Sequence, residues 1–120
     1  MGDDDGRVVF APAVEVHPSA VPGYAEKIGF CICEDLWNVY DDDHRRPYRG
    51  DPVGDLVATG ARLLINISAS PYWITKQAAR LRIFGEQAAK HGVPLVYVNQ
   101  VGGNDDLIFD GASAVIDANG

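Results

Sequence analysis

Cysteine is scarce in this chain of 120 residues, and its scarcity excludes several kinds of site. The only cysteines are Cys31 and Cys33, and because a single residue separates them, a disulfide between them would be strained. We therefore expect both thiols to be reduced, as in a cytosolic protein. A metal site needs more soft ligands than these, and the histidines His17, His44 and His91 are scattered without ligand spacing. No metal site is predicted.

Basic residues and long apolar runs are also scarce in this sequence. The chain has 10 basic against 17 acidic side chains, which gives a net charge of -7. An acidic surface repels phosphate groups, so neither nucleic acid nor an anionic membrane is an expected partner. No apolar run reaches the length of a membrane span, and the N-terminus lacks the basic and apolar regions of a signal peptide. The sequence predicts a cytoplasmic protein.

The stretch from Lys27 to Trp37 organises the rest of the sequence. A near-continuous apolar run ends at Cys33 and is followed at once by Glu34 and Asp35. Such a run predicts a strand buried on both faces, and the switch to carboxylates marks its C-terminal edge, where open α/β sheets bind ligands. A thiol at this edge suits a nucleophile. The residues alone leave open that Cys33 is a small buried hydrophobe, and they predict that Cys31 lies in the core.

Two further apolar runs also end in polar residues. A strand predicted over 61–68 leads to Ser68 and Ser70, and a strand over 95–100 ends in Asn99 and Gln100. A short helix over 52–59 and a long helix over 74–91 separate the three strands. This alternation favours an α/β fold with parallel strands, whose polar ends would meet at one edge of the sheet.

The remaining segments are predicted from local composition. The long helix presents its apolar positions at helical spacing, with lysine and arginine on its other faces. These apolar positions are Ala78, Leu81, Phe84 and Ala88. Further strands are predicted at 7–10, 13–17, 107–109 and 112–117, with a charged loop over 38–51 and a glycine-rich loop over 101–105.

Three stretches carry a resemblance to a known family. They are Ile32-Cys33-Glu34-Asp35-Leu36-Trp37, then Asn66-Ile67-Ser68-Ala69-Ser70-Pro71 with Lys76 beyond it, and Tyr97-Val98-Asn99-Gln100-Val101-Gly102-Gly103-Asn104-Asp105. In this order they resemble the nitrilase-like carbon–nitrogen hydrolases, and in form the glutaminase domain of glutamine-dependent NAD synthetases. The resemblance spans residues 28–120 and implies part of a layered α-β-β-α sandwich.

The resemblance also implies a chemistry. Cys33 attacks the side-chain amide of glutamine, ammonia leaves, and water releases glutamate from the thioester. The backbone N–H of Glu34 stabilises the oxyanion together with a lysine. Ser70 and Lys76 match positions that contact the glutamine, and Trp37 is placed to wall its pocket. Read without the family, Ser70 begins a loop, Lys76 is a surface lysine and Trp37 belongs to the core.

Two members of the family's catalytic set are not matched. The glutamate base and the lysine should precede the cysteine, yet Lys27 is too close and neither Glu15 nor Glu26 has supporting context. We therefore expect residues 1–120 to be a partial hydrolase domain, truncated at both ends, nearly inactive alone and prone to aggregate. The parent would be a homo-oligomer whose absent synthetase domain uses ATP and magnesium to amidate deamido-NAD with the ammonia.

Other functions remain open at this point. One is a free-standing amidase of the same superfamily that acts on another amide. Another is a non-catalytic α/β interaction domain that keeps the scaffold. A redox role for Cys31 and Cys33 is a third, although they lack the usual two-residue spacer.

Overall fold

A computed structural model describes residues 19–20, 22–23, 25–37 and 50–120. The strands predicted at 7–10 and 13–17, and the loop predicted over 38–51 except its last two residues, lie outside these ranges. No helix in the described residues has both the length and the apolar character that a membrane crossing requires.

The described residues form strands and helices that alternate along most of the chain. In chain order these are β1 (Ser19–Ala20), β2 (Lys27–Ile32), a 3₁₀ helix (Cys33–Trp37), α1 (Pro52–Ala58), β3 (Ala61–Ser68), α2 (Lys76–His91), β4 (Leu95–Asn99), β5 (Val101–Asn104), β6 (Leu107–Asp110) and β7 (Ala114–Ile116). The main sheet has the order β1-β2-β3-β4-β7, and β5 and β6 form a separate hairpin.

The three central strands of the main sheet are parallel neighbours. Phe30 of β2 pairs with Ile65 of β3, which pairs in turn with Val96 of β4, whereas β1 and β7 are antiparallel edge strands. The C-terminal ends of β2, β3 and β4 therefore lie side by side, as the sequence predicts. The prediction of an α/β fold is confirmed.

Both helices pack against one face of this sheet and enclose the core. The core includes Leu56 of α1, Phe84 and Ala88 of α2, and Leu64 and Leu95 of the strands. Gly29 allows the close approach of α1 to β2, because a Cβ atom there would lie 3.0 Å from Ala61 Cβ and 3.3 Å from Leu56 Cβ.

Asp51 ties the start of α1 to the end of α2. Its carboxylate accepts a hydrogen bond from the N–H of Gly54 at 3.0 Å and another from Lys90 Nζ at 2.6 Å. Burial acts to raise the pKa of Asp51, but these two hydrogen bonds and the positive charge of Lys90 hold the pKa below its usual value. Burial lowers the pKa of the neighbouring His91, and the attraction of Asp51 offsets this only in part.

The inward face of α2 differs from the prediction. Phe84 and Ala88 are buried as expected, but Ala78 and Leu81 are exposed. The other buried positions of the helix are Lys76, Arg80, Ile83 and Gln87. Polar side chains occupy the inner face because they hydrogen-bond to the carbonyls of Pro71, Ser70 and Leu36 and to the carboxylate of Asp110. Apolar periodicity does not reveal such partners.

Among the described residues nothing covers the opposite face of the sheet, which we call the open face. Phe30 is 45% exposed and Ile32 is 70% exposed, so the prediction that β2 is buried on both faces is wrong for this chain. The alternating burial along the strands assigns nine residues to the open face: Ile28, Phe30, Ile32, Leu63, Ile65, Ile67, Val96, Val98 and Val115. Every one of them is apolar, so the sequence predicts strands buried on both faces, although in the part of the chain that the structure describes only one face is packed against helices.

The segment predicted as a glycine-rich loop also has regular structure. Val101–Asn104 form β5, which pairs with β6 in an antiparallel hairpin, with Gly103 opposite Ile108. The two glycines weaken the strand signal in the sequence, but the pairing supplies the backbone hydrogen bonds that a loop would lack. The hairpin is linked to the main sheet through the N–H of Tyr72, which donates to the carbonyl of Ile108 at 2.7 Å.

Candidate active site

Cys33 lies just beyond the end of β2, at a sharp change of backbone direction. The strand ends at Ile32, one residue earlier than predicted, and Cys33 begins the 3₁₀ helix with a φ of 42°. A non-glycine residue in this left-handed region is strained by roughly 1–2 kcal/mol. The Asp35 carboxylate accepts a hydrogen bond from the N–H of Ile32 at 2.7 Å, which fixes the turn. The thiol is therefore presented at the edge of the sheet rather than within it.

The loop after β3 forms the second wall of the site. It carries Ser70, then Trp73, and reaches α2 through Thr75, whose φ is 72°. The side chain of Thr75 makes no capping hydrogen bond to α2. A β-branched residue in the left-handed region is rare and occurs where the surrounding structure holds it. This strained turn delivers Lys76 to the first position of the helix.

A cavity of about 290 Å³ opens between these two walls. Its lining contains every residue that the sequence suggests for the site, together with Pro71 and Trp73, which it does not suggest. The lining residues are Cys33, Glu34, Trp37, Ser70, Pro71, Trp73 and Lys76. Residues 43 positions apart along the chain thus meet around a space close to the lower end of small-molecule sites.

Lys76 is not the surface lysine of the alternative interpretation. Only 4% of the residue is exposed, its Nζ donates to the carbonyl of Pro71 at 2.6 Å, and it lies 3.7 Å from the centre of the Trp73 ring. Burial lowers the pKa of Lys76 and the nearby Arg80 lowers it further, whereas Cys33 and Asp110 act to raise it. An ammonium held by a carbonyl and an aromatic face forms a fixed positive charge in the cavity wall.

Trp37 serves the core as well as the cavity. Its ring packs edge-on against Phe84 at 5.8 Å between centres, and the centre of the ring lies 5.8 Å from Lys76 Nζ. Both interpretations of this tryptophan, core residue and cavity wall, therefore describe its position.

A buried ion pair supports the loop that carries Ser70. Arg80 Nη1 contacts both carboxylate oxygens of Asp110, at 2.9 and 2.8 Å, and its Nη2 donates to the carbonyl of Ser70 at 2.9 Å. Asn99 accepts from the N–H of Ser70 at 2.9 Å and donates to the carbonyl of Gly111 at 2.8 Å. The backbone of Ser70 is therefore fixed on both sides by side chains from α2 and β4.

A second polar group holds the loop of Cys33. The amide nitrogen of Asn66, which is fully buried in β3, donates to the carbonyl of Cys33 at 3.4 Å and to the sulfur of Cys31 at 3.5 Å. The hydroxyl of Ser68 donates to the amide oxygen of Asn66 at 2.6 Å. These contacts join β3 to the turn that presents the thiol.

The two thiols have different environments. Both are free, but Cys31 is buried in the core as predicted, and burial raises its pKa to about 11 although the hydrogen bond from Asn66 acts to lower it. A thiolate is the reactive form of cysteine, so Cys31 is inert at neutral pH. Cys33 is partly exposed to the cavity. Across the described ranges no cluster of three or more histidine, cysteine or acidic residues is arranged to hold a metal ion.

Comparisons with known proteins agree with the resemblance seen in the sequence. No family model matches the chain. A glutamine-dependent NAD(+) synthetase from Synechocystis is 48% identical over 94 residues, which cover 78% of this chain and 17% of that protein. The solved structure of glutamine-dependent NAD+ synthetase from Acinetobacter baumannii matches with a TM-score of 0.74 and 33% identity, over 92% of this chain and 18% of that one.

The chain has the fold of the nitrilase-superfamily carbon–nitrogen hydrolases, and its curated homologues are glutamine-dependent NAD synthetases. It spans between 15% and 19% of the length of these relatives. A carbon–nitrogen hydrolase from Helicobacter pylori shares the fold, with a TM-score of 0.71 at 24% identity over 92% of this chain and 39% of that one. The sheet with helices on one face is thus part of a nitrilase-like α-β-β-α sandwich.

Sequence reasoning about this nitrilase-like chain missed the residues that support the cavity. Asn66 interrupts an otherwise apolar strand, and Arg80 falls on the buried side of α2. Both are polar residues within apolar patterns, which is the available signal, because a polar group is buried only where partners satisfy it. Pro71 and Trp73 lie within or beside a recognised motif and carry no separate signal.

Proposed function

We propose that this chain is the part of a glutamine-dependent NAD synthetase that hydrolyses glutamine, with Cys33 as the nucleophile. The observation that carries the proposal is the cavity in which Cys33, Glu34, Ser70 and Lys76 meet. It joins a thiol at a strand end to a fixed cation, and its volume of about 290 Å³ is close to the lower end of small-molecule sites.

In the proposed reaction the Cys33 thiolate attacks the side-chain carbonyl carbon of glutamine. The new sulfur–carbon bond displaces the π electrons onto oxygen, and the N–H of Glu34 donates to this oxyanion. Collapse of the intermediate breaks the carbon–nitrogen bond, and the amide leaves as ammonia once it has gained a proton. Water then releases glutamate from the thioester. Among the described residues Glu34 is the one carboxylate that lines the cavity, and we assign its side chain to the α-ammonium group of the substrate. The general base and the second oxyanion donor are therefore assigned, by resemblance, to a glutamate and a lysine that this sequence does not match.

The opposite end of the substrate is assigned to the second wall. Lys76 has three N–H donors and uses one of them on Pro71, so we assign its positive charge to the α-carboxylate of glutamine together with the Ser70 hydroxyl. With the side chain of Glu34 at the α-ammonium group, we assign Trp37 to the apolar middle of the substrate. The ammonia passes to a synthetase domain that binds ATP and magnesium and amidates deamido-NAD. We further propose that the whole protein is cytoplasmic and homo-oligomeric.

Two variants of the complete protein that contains this chain, compared with the intact protein, test the proposal. Glutamate release from glutamine is measured for the intact protein, for Cys33→Ala and for the matched control Cys31→Ala, alongside NAD formation from glutamine or from free ammonia. We expect Cys33→Ala to lose both glutamine activities and to keep ammonia-dependent NAD formation, and Cys31→Ala to keep all three. If the intact protein does not hydrolyse glutamine, or if Cys33→Ala still does, the proposal is wrong.

A further inference from the structure

The side chain of Asn66 is placed to control the peptide bond between Cys33 and Glu34. It is an amide with no exposed surface in a strand whose other central positions are apolar. Burying an amide is unfavourable unless its polar atoms have partners, and here both ends of the amide have them. Its nitrogen donates to the carbonyl of Cys33 and its oxygen accepts from the Ser68 hydroxyl. The carbonyl of Cys33 can only accept, so the nitrogen of Asn66 must face it.

Peptide geometry links this carbonyl to the proposed oxyanion donor. The C=O of Cys33 and the N–H of Glu34 belong to one planar unit, and in a trans peptide they point in opposite directions. No cis peptide bond occurs among the described residues. Fixing the carbonyl toward Asn66 therefore directs the N–H of Glu34 away from Asn66. Cys33 and Glu34 both line the cavity, so this peptide lies at the cavity wall.

We propose that Asn66 is a positioning residue that aims the N–H of Glu34 at the oxyanion by holding the carbonyl of Cys33. The inference rests on the proposed function, because it assumes that Cys33 forms a tetrahedral intermediate. Cys33 has a left-handed backbone (φ 42°), and a strained peptide that is not held can rotate. The hydrogen bond from Asn66 to the carbonyl of Cys33 therefore keeps this peptide in one orientation. Donation to the carbonyl also polarises the peptide and makes its N–H a stronger donor.

The length of the hydrogen bond suits a group that acts mainly during the reaction. At 3.4 Å it is longer than the usual 2.7–3.2 Å range, and catalytic hydrogen bonds often shorten only in the transition state. Loss of a direct oxyanion donor lowers kcat by about 100–1000-fold. Since Asn66 acts through the peptide, we expect Asn66→Ala to lower kcat for glutamine hydrolysis by about 10–100-fold.

Ground-state properties separate positioning from a structural role. In the complete protein we expect the rate of Cys33 alkylation by iodoacetamide to change less than about threefold, because this displacement develops no oxyanion. We expect the Kd of glutamine, compared between Cys33→Ala and Cys33→Ala/Asn66→Ala, to change less than about twofold. The exposed Asn119 provides a matched control, since Asn119→Ala is the same chemical change and should leave all three values unchanged.

Ser68→Ala is the milder second variant and also serves if Asn66→Ala does not fold, as judged by circular dichroism. It removes the donor to the amide oxygen of Asn66 but leaves the amide, so we expect a fall in kcat of about threefold to tenfold with unchanged alkylation and glutamine affinity. Unchanged kcat in the variants that fold would overturn the role of Asn66, as would a fall in alkylation or affinity as large as the fall in kcat. If the intact protein does not hydrolyse glutamine, the proposed function itself is wrong and this inference goes with it.

Discussion

The ion pair between Arg80 and Asp110 leads to a prediction about stability that depends on which partner is removed. The side chain of Arg80 is 2% exposed whereas that of Asp110 is 20% exposed. The guanidinium also has a buried Nε with no hydrogen-bond partner. The two charges therefore differ in their access to water, and the pair should respond unequally to its two single deletions.

The magnitudes follow from what each deletion leaves behind. Asp110→Ala leaves a buried, unpaired guanidinium, and breaking a buried pair in this way costs about 3–5 kcal/mol. Arg80→Met leaves a carboxylate that water can reach, keeps an apolar stem in place and loses one charged hydrogen bond to Ser70, which is worth about 1.5–3 kcal/mol. We expect Arg80→Met to cost about 2 kcal/mol. The double variant Arg80→Met/Asp110→Ala should cost at least about 1 kcal/mol less than the sum of the single variants.

The assay is denaturant unfolding of the complete protein, followed by the fluorescence of Trp37 and Trp73, which line the cavity. Arg82→Met provides a matched control, because Arg82 forms an exposed i,i+4 pair with Glu86 at 3.1 Å that should be worth no more than about 0.5 kcal/mol. If Arg80→Met is more destabilising than Asp110→Ala, or if their effects are additive, the argument from unequal exposure is refuted.

Three further predictions concern reactivity, pH and packing. Iodoacetamide at pH 7.5 should modify Cys33 and spare Cys31, whose pKa of about 11 keeps it a buried thiol, and peptide mass mapping reads out the site. Because the pKa values of His91 and Asp51 are both lowered in the folded state, the unfolded chain binds protons first on acidification. The free energy of unfolding should therefore fall as the pH drops below about 6.5 and fall again below about 3.8, and His91→Gln should remove the first decrease. Gly29→Ala should lower the free energy of unfolding by about 1–3 kcal/mol, because the new Cβ meets its neighbours at 3.0 Å, and a Tm equal to that of the parent would contradict this.

Much of the fold was predictable because apolar periodicity reports burial directly. The strands around Ile65 and Tyr97 and the proline-led helix at Pro52 lie close to their predicted bounds. The same reasoning misplaced the inward face of α2, where Leu81 is exposed and Arg80 is buried. Arg80 is buried because a carboxylate from β6 neutralises it, and that partner, 30 residues away, cannot be identified from the helix alone.

The open face shows a second limit of sequence reasoning. Ile32 and Val98 are apolar although they are exposed among the described residues, which is the composition expected of a sheet face that another layer covers. The composition of a strand reflects every face that the strand buries in the family's complete sandwich. This holds even where a sequence includes only part of that sandwich. Composition therefore predicts that the face is buried but not what covers it.

The geometry of the candidate site depends on backbone conformations that cannot be predicted from the residue types. Cys33 and Thr75 adopt left-handed φ values of 42° and 72° on the two sides of the cavity, where glycine would be the expected residue. Cys33 cannot be a glycine because it carries the thiol, whereas the Thr75 side chain makes no capping hydrogen bond to α2 that would explain the threonine at position 75. Asn66, a buried polar residue in an apolar strand, holds the carbonyl of Cys33. A polar residue that interrupts a buried element needs a hydrogen-bond partner, and for Asn66 that partner is the strained backbone at Cys33. Such residues are therefore the sequence feature to examine when searching for what supports a site of this kind.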